Sequence, residues 1–453
     1  MKIVIVGCGK VGEAIADALC SEGHDIAVID PDKNVIDRVA YAYDLRGVCG
    51  SGIIQKDLKD AGAAGADLLI ATSSHDETNL LSCIIAKSMG AKRCIARVRD
   101  PEQNAQAAFL GQNLGITMTV NPELLASREI SRLILMPSAL EVNSFARGRM
   151  DLVQIKLTEN SKMCGKPLSE LSSVLKSRIL VCAIQRAGEG EVIIPTGSSV
   201  TMPGDKVYIT ATHKEMSGFF REVGLETHKI KTVMIVGGGK MSYYLAAMLQ
   251  SSGIDVKIIE HDRDRCYKLA DLLPKAAVIN ADGTDQKVLE EEGLLKCDSL
   301  VALTGVDEDN TIISMYAKLR GVSKVITKIN KIELKKMGES VGLDSVVSPK
   351  EETAEVILSY VRGIQNTRSS AVRTLYRVAG DEAEALEFLA ENGSRALNIP
   401  LMKMKLKKNL LIGGIIRQGK IIFPGGSDCI QAGDLVIVVT TNKFISELDE
   451  ILE

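Results

Sequence analysis

Gly7, Gly9 and Gly12 form a GxGxxG run directly behind the apolar stretch KIVIV, and Asp30 follows 18 residues after the last of them. Residues of these types at this spacing suit the pyrophosphate and ribose of a dinucleotide. The first glycine permits a tight turn, the second lets backbone approach a pyrophosphate, and the third lets a helix pack closely on a strand. The start of that helix offers unpaired N–H groups and a favourable dipole to phosphate. Asp30 ends the next apolar run, DIAVID, where a carboxylate accepts both ribose hydroxyls. Its charge disfavours a 2′-phosphate, so NAD or another adenine nucleotide is expected rather than NADP. A lone GxGxxG is equally a glycine-rich turn, but strand, helix and terminal acid in register favour nucleotide binding.

A second constellation lies further along. Gly237 and Gly239 stand in IVGGGKMS, Ser242 takes the place of the third glycine, and Glu260 ends the run KIIE with one more methylene than Asp30. This is either a second nucleotide site or a former one retained for its fold. Ser73 and Thr304 sit at matching strand ends, with hydroxyls suited to ribose, phosphate or simple strand capping. Arg97 and Lys328 are matching cations for phosphates or surface ion pairs. Asp76 and Asn79, like Asp307 and Asn310, form D-x-x-N and are expected to cap the helices that follow. Cys8 lies inside the glycine loop, as an activated thiolate or, as expected here, a small filler. Asp282 faces Ser51 in the alignment of the copies, which places an adenine-contacting carboxylate in the second copy alone.

The elements that must position these residues are written twice. Gly7 matches Gly237, Asp30 matches Glu260, ATSSHDETN (Ala71 to Asn79) matches ALTGVDEDN (Ala302 to Asn310), Pro122 matches Pro349, and Gly204-Asp205 matches Gly433-Asp434. Ordered matches at one period of about half the chain mark a tandem duplication. Each copy opens with short apolar runs suited to buried parallel strands. Val11, Ala14, Ile15, Ala18 and Leu19 fall on one helical face between the first two runs, which completes a βαβ unit. The fold class expected is α/β, with duplicated doubly wound, Rossmann-like parallel sheets, each followed by a small β-rich α+β domain. The boundaries expected are 1–135, 136–225, 226–365 and 366–453, with HKEMSGFFREVGLETHKIK as the connection between halves. Asn121 and Pro122 open one late helix. Ser348, Pro349 and Glu351 open the other as a capping box.

Composition removes several function classes. Net charge is -3 and aromatic content is 4% with no Trp, which argues against nucleic-acid binding. No apolar run approaches the roughly 18 residues needed to span a bilayer, and the N-terminus does not read as a signal peptide. Ten cysteines without a CxxC pair point to reduced thiols and a cytoplasmic location. The five histidines form no metal-binding pattern, and there is no G-x-S-x-G or Walker lysine motif. A dehydrogenase couples its dinucleotide domain to a substrate domain with a general acid or base, and neither small β-rich segment carries one. Binding without turnover is expected.

GCGKVG with Asp30, then ATSSHDETN, IARV and MPGDKVYI resemble the N-terminal and then the C-terminal module of the regulator-of-potassium-conductance (RCK/KTN) family. Two such pairs over nearly the whole chain are similar to the peripheral subunits of Trk-type potassium uptake systems. The resemblance implies a homo-oligomer (dimer or tetramer) that docks on the cytoplasmic face of a potassium-translocating membrane subunit of Trk type. It also implies NAD(H) or ATP/ADP in the large-domain clefts and pairing through the helices near Pro122 and Pro349. The residues it assigns to nucleotide are Gly7, Cys8, Gly9, Lys10, Val11, Gly12, Asp30, Thr72, Ser73, Ser74 and Arg97 in the first copy. In the second they are Gly237, Gly238, Glu260, Gly239, Lys240, Met241, Asp282 and Thr304. Departures from the pattern are Ser51, Ser242, and a last segment without an evident counterpart of Gly165-Lys166-Pro167-Leu168. The rival readings are an NAD-dependent oxidoreductase and a nucleotide-sensing regulator of another channel or exchanger.

Overall fold

The computed structural model describes residues 1–101, 111, 114–146, 148–171, 175–188, 191–225, 229–343, 345–365, 372–379 and 382–453. They divide into two compact units, Met1–Ile134 with Ile230–Ala354, and Leu135–Lys229 with Glu355–Glu453. Four sheets carry the chain in order. The first holds Lys2–Val6 (β1), Asp25–Asp30 (β2), Arg46–Cys49 (β3), Leu68–Ala71 (β4), Cys94–Arg97 (β5) and Met118–Val120 (β6). The second holds Glu141–Phe145 (β7), Met150–Lys156 (β8), Leu180–Gln185 (β9), Val192–Ile193 (β10) and Lys206–Ala211 (β11). The third holds Thr232–Val236 (β12), Asp255–Glu260 (β13), Ala277–Asn280 (β14), Ser299–Ala302 (β15), Lys324–Lys328 (β16) and Val346–Val347 (β17). The fourth holds Val372–Val378 (β18), Ala383–Leu389 (β19), Leu410–Arg417 (β20), Lys420–Ile422 (β21) and Leu435–Thr440 (β22).

In the first unit both sheets are parallel and have the same order, β3-β2-β1-β4-β5-β6 and β14-β13-β12-β15-β16-β17. Strand order reverses beside β1 and β12, which opens a crevice at their C-terminal ends. The central strands are apolar without alternation because helices cover both faces, and Ile3, Val4 and Ile5 are fully buried. On the Lys10–Cys20 helix, Val11, Ile15, Ala18 and Leu19 turn inward, so the βαβ reading holds.

In the second unit both sheets are antiparallel, β10-β9-β11-β8-β7 and β18-β19-β22-β20-β21. They share one core, in which Phe145, Leu152 and Tyr208 cluster with Val378, Ile437 and Val439. Polar ties cross it as well. Ala379 N donates to the Tyr208 hydroxyl at 2.7 Å, and Ala146 N donates to Glu387 Oε2 at 2.5 Å. Ala146 and Ala379 hold corresponding left-handed positions, φ 49° and 56°, just after β7 and β18.

Four local expectations are corrected. The stretch beginning HKEMSGFFRE is less a connector than a helix, His213–Glu222, that buries Met216, Phe219 and Phe220. The residues Asp76, Asn79, Asp307 and Asn310 do not cap helices; their bonds run to strand ends, as described below. The Ser348 capping box is not made, since Ser348 Oγ has no hydrogen-bond partner among the described residues and Glu351 pairs with Lys335 Nζ at 2.8 Å. In the first copy Asn121 Oδ1 does cap, accepting from Leu124 N at 2.9 Å. Finally, the last small domain does have a counterpart of Gly165. Asn398 adopts φ 57° against 74° at Gly165, and the bridge Pro400–Cys429 repeats Pro167–Val200.

Candidate functional site

Gly7 leaves β1 with φ +87°, and a Cβ there would lie 2.7 Å from Ser73 N, so the turn is pressed against the end of β4. A Cβ on Gly12 would lie 2.0 Å from the Gly7 carbonyl oxygen. Gly9 is different, because a Cβ there meets nothing within 4 Å and packing does not demand the glycine. Asp30 is held at the mouth of the turn, accepting from Cys8 N at 2.8 Å and Asp32 N at 3.0 Å. Thr72 Oγ1 donates to the Gly7 carbonyl at 2.8 Å. Ser73 and Ser74 complete the rim, with Ser74 Oγ 3.0 Å from His75 Nδ1. Burial, then the Asp30 charge, pushes the Cys8 thiol up to about 12, so it acts as a filler and not as a nucleophile.

The second copy reproduces this geometry with exchanged parts. Gly237 has φ +100°, and Gly238 N donates to Glu260 Oε2 at 2.6 Å. A Cβ on Gly238 would lie 2.9 Å from Glu260 Cγ, so the longer acid stands where the first copy has room for Cys8. Leu303 replaces Thr72, and the hydroxyl that reaches the Gly237 carbonyl comes instead from Ser242, at 2.5 Å. Ser242 therefore supplies a bond that Thr72 supplies in the first copy. It is not simply a lost glycine.

Asn79 and Asn310 fasten the strand ends beside these turns. Asn79 accepts from Ser73 N at 2.7 Å and donates to the carbonyls of Ser73 and Arg97. Asn310 does the same with Thr304 N, Thr304 O and Lys328 O. Asp76 accepts from Arg99 N and Asp100 N, and Asp307 from Asn330 N and Lys331 N. The carboxamide and carboxylate match backbone donors and acceptors that the last residues of a strand leave open.

A cavity of about 880 Å³ opens at the C-terminal edge of the third sheet, within the size range of small-ligand sites. Gly237, Gly238, Gly239, Lys240, Met241, Glu260, Asp282 and Thr304 all line it. So do Lys10, Val11 and Arg97 of the first copy, together with Arg99 and Glu123. Gly7, Cys8, Gly9, Gly12, Asp30, Thr72, Ser73 and Ser74 instead gather at the edge of the first sheet, outside this wall. Arg97 reaches both places: its NH1 donates to Ser73 O at 3.4 Å and its NH2 faces Glu123 Oε1 at 3.4 Å. Burial lowers the pKa of Arg97 and of Lys328, and Lys10 adds to the effect at Lys328. Arg97 Nε and Glu123 Oε2 are buried without a hydrogen-bond partner among the described residues. The open Arg97 donor favours a group that accepts from it, and the open Glu123 oxygen one that donates.

The two copies meet beside the cavity. Asn121 Nδ2 donates to the Tyr244 hydroxyl at 3.0 Å, Tyr244 donates to Arg99 O at 3.1 Å, and Ser127 Oγ donates to Met241 O at 2.9 Å. Arg99, Glu123, His261 and Arg265 were not singled out from the sequence. Each lies outside the glycine motifs, and Arg265 has Val35 as its first-copy counterpart.

The TrkA-N domain model matches residues 3–122 and again 233–349, and the TrkA-C domain model matches 152–224 and 385–453. The chain belongs to the TrkA family. TrkA relatives include the Trk system potassium uptake protein TrkA homolog 1 of Methanosarcina mazei, 31% identical over 99% of each chain. The TrkA of Haemophilus influenzae is 31% identical over 100% of this chain and 99% of its own. TrkA is a family of potassium-uptake components and not of enzymes, as expected from the missing catalytic residues. Among solved structures, the GsuK RCK domain superposes with a TM-score of 0.64 at 16% identity, covering 98% of this chain and 92% of that one. The GsuK channel bound to NAD gives 0.63 at 16%, over 98% and 77%. At such identity the likeness is one of fold, and it is the RCK fold expected from the TrkA-like motifs. No helix among the described residues is long and apolar enough to cross a membrane.

Proposed function

We propose that this TrkA-family chain is a nucleotide-sensing regulatory subunit that gates a separate potassium-translocating membrane subunit of Trk type. NAD(H) and ATP/ADP are its ligands, the glycine turns of both copies hold the pyrophosphates, and Asp30 binds the ribose in the first cleft. The observation that carries the reading is the cavity whose glycine loop, Gly237 to Gly239, faces Lys10, Arg97 and Arg99 from the other copy, with an Arg97 donor still unmatched. Polyphosphate supplies acceptors for the Lys10, Arg97 and Arg99 side of this wall and for the backbone N–H groups of its glycine loop. That a GsuK channel has been obtained with NAD supports NAD as a ligand for the same fold. The four segments 1–135, 136–225, 226–365 and 366–453, assembly as a homodimer or homotetramer, and a peripheral place on the cytoplasmic membrane face belong to the same reading.

A ligand shifts a partner only by the difference in its affinities for two states. ATP and NADH share an adenosine end and differ beyond the pyrophosphate, close to Lys10 and the Ser73–Ser74 turn. They are expected to compete for the first cleft and to give different potassium flux through a co-reconstituted Trk-type membrane subunit. Asp30→Ala should weaken both nucleotides there by about 1–3 kcal/mol in calorimetry. Equal flux with ATP, NADH and no ligand would defeat gating, and unchanged affinity in Asp30→Ala would defeat the ribose assignment.

A further inference from the structure

The two copies differ in how much acceptor capacity their terminal acids have left. An ionised carboxylate offers about four lone-pair sites. Among the described residues Asp30 spends two, on Cys8 N at 2.8 Å and Asp32 N at 3.0 Å. Two remain for the hydroxyls of a ribose. Glu260 spends four. Its Oε2 takes Gly238 N at 2.6 Å and Arg265 NH1 at 3.3 Å, and its Oε1 takes Asp262 N at 2.8 Å and lies 3.0 Å from His261 Nδ1. Its side chain is 2% exposed, so the Arg265 guanidinium and the His261 ring, and not the carboxylate, face a ribose at this position.

Donors stand in its place. Arg265 and His261 both line the cavity, with side chains 47% and 80% exposed. Their first-copy counterparts are Val35 and Pro31, which donate nothing from their side chains. Of the other acids nearby, Asp282 accepts from Thr284 N and Oγ1 through Oδ1, and Asp262 accepts from Arg265 N at the start of its helix and lies 3.8 Å from Arg265 NH2. We propose that the second cleft takes an adenine nucleotide whose ribose carries a phosphate, of the NADP(H) type, whereas the first takes the unphosphorylated ribose. The proposal rests on the nucleotide reading given above and deepens it. A guanidinium beside an imidazole matches a phosphate, whose oxygens only accept, and serves a hydroxyl poorly.

Isothermal titration of the full chain with NAD⁺ and NADP⁺ tests this, using wild type, Asp30→Ala and Arg265→Val. The expected result is an NADP⁺ site that persists in Asp30→Ala and weakens about tenfold in Arg265→Val, the size of one charge-assisted hydrogen bond. NAD⁺ binding at the first cleft should be unchanged in Arg265→Val. The proposal is overturned if the NADP⁺ site vanishes with Asp30→Ala, if Arg265→Val leaves it intact, or if NAD⁺ fills the second cleft as tightly as NADP⁺. Absence of heat with both nucleotides in wild type would sink the nucleotide reading itself, a separate outcome.

Discussion

At the scale of single residues, the two glycine turns solve one packing problem with two sets of atoms. The carbonyl of the first glycine receives a hydroxyl in both copies, from Thr72 in one and from Ser242 in the other. Gly12→Ser alone places a Cβ 2.0 Å from Gly7 O while Thr72 still occupies that carbonyl. It should destabilise the first copy by about 1–3 kcal/mol in urea unfolding, as overpacking does. Combining Gly12→Ser with Thr72→Leu reproduces the second copy's arrangement and should recover part of that loss. A double variant no more stable than the single one would mean that the hydroxyl exchange has no energetic content.

At the scale of elements, the strand ends are fixed by side chains that sequence spacing suggested for another task. D-x-x-N reads as a helix cap because Asp and Asn are good caps, yet the periodic signal says nothing of backbone groups 18 residues away. Asn79 is fully buried and both donates and accepts, so Asn79→Ala should cost roughly 2–4 kcal/mol. Asn79→Asp distinguishes the two roles. Aspartate is an equally good cap but cannot donate to the Ser73 and Arg97 carbonyls, so it should fail to restore stability in chemical denaturation. The parallel strands, the helix after Gly9, the terminal acids and the duplication were legible because each is a local pattern or a repeat of one. The cavity wall was legible only in part. Its glycine loop is a motif, but Arg99, Glu123 and Arg265 reach it through tertiary packing that leaves no spacing to read.

At the scale of the whole molecule, each compact unit draws one half from each copy, so stability in one copy is tied to the other. Glu387 shows this in the antiparallel unit. It sits on β19 and accepts from Ala146 N, just beyond β7. Burial holds its carboxyl above the ordinary range, against the opposing pull of the Ala146 N–H and Arg373. Its stabilising contribution is therefore present below the unfolded pKa and is lost as pH rises through the raised folded value. Glu387→Gln keeps an acceptor and removes the charge, so it should melt higher than wild type at about pH 8 and alike near pH 4 in calorimetry. Equal melting at both would place no ionisation cost on this residue. The Asn121–Tyr244 contact has a different kind of consequence. Its corresponding partners on the other side are Ser348 and Ala14, which cannot repeat it. Two identical subunits about a twofold axis inherit every substitution on both sides at once. Fusing the partners into one gene product lifts that constraint, and each half is free to mutate without dragging its twin along. Such freedom is what allows a single ancestral pocket to diverge into two that answer to different metabolites.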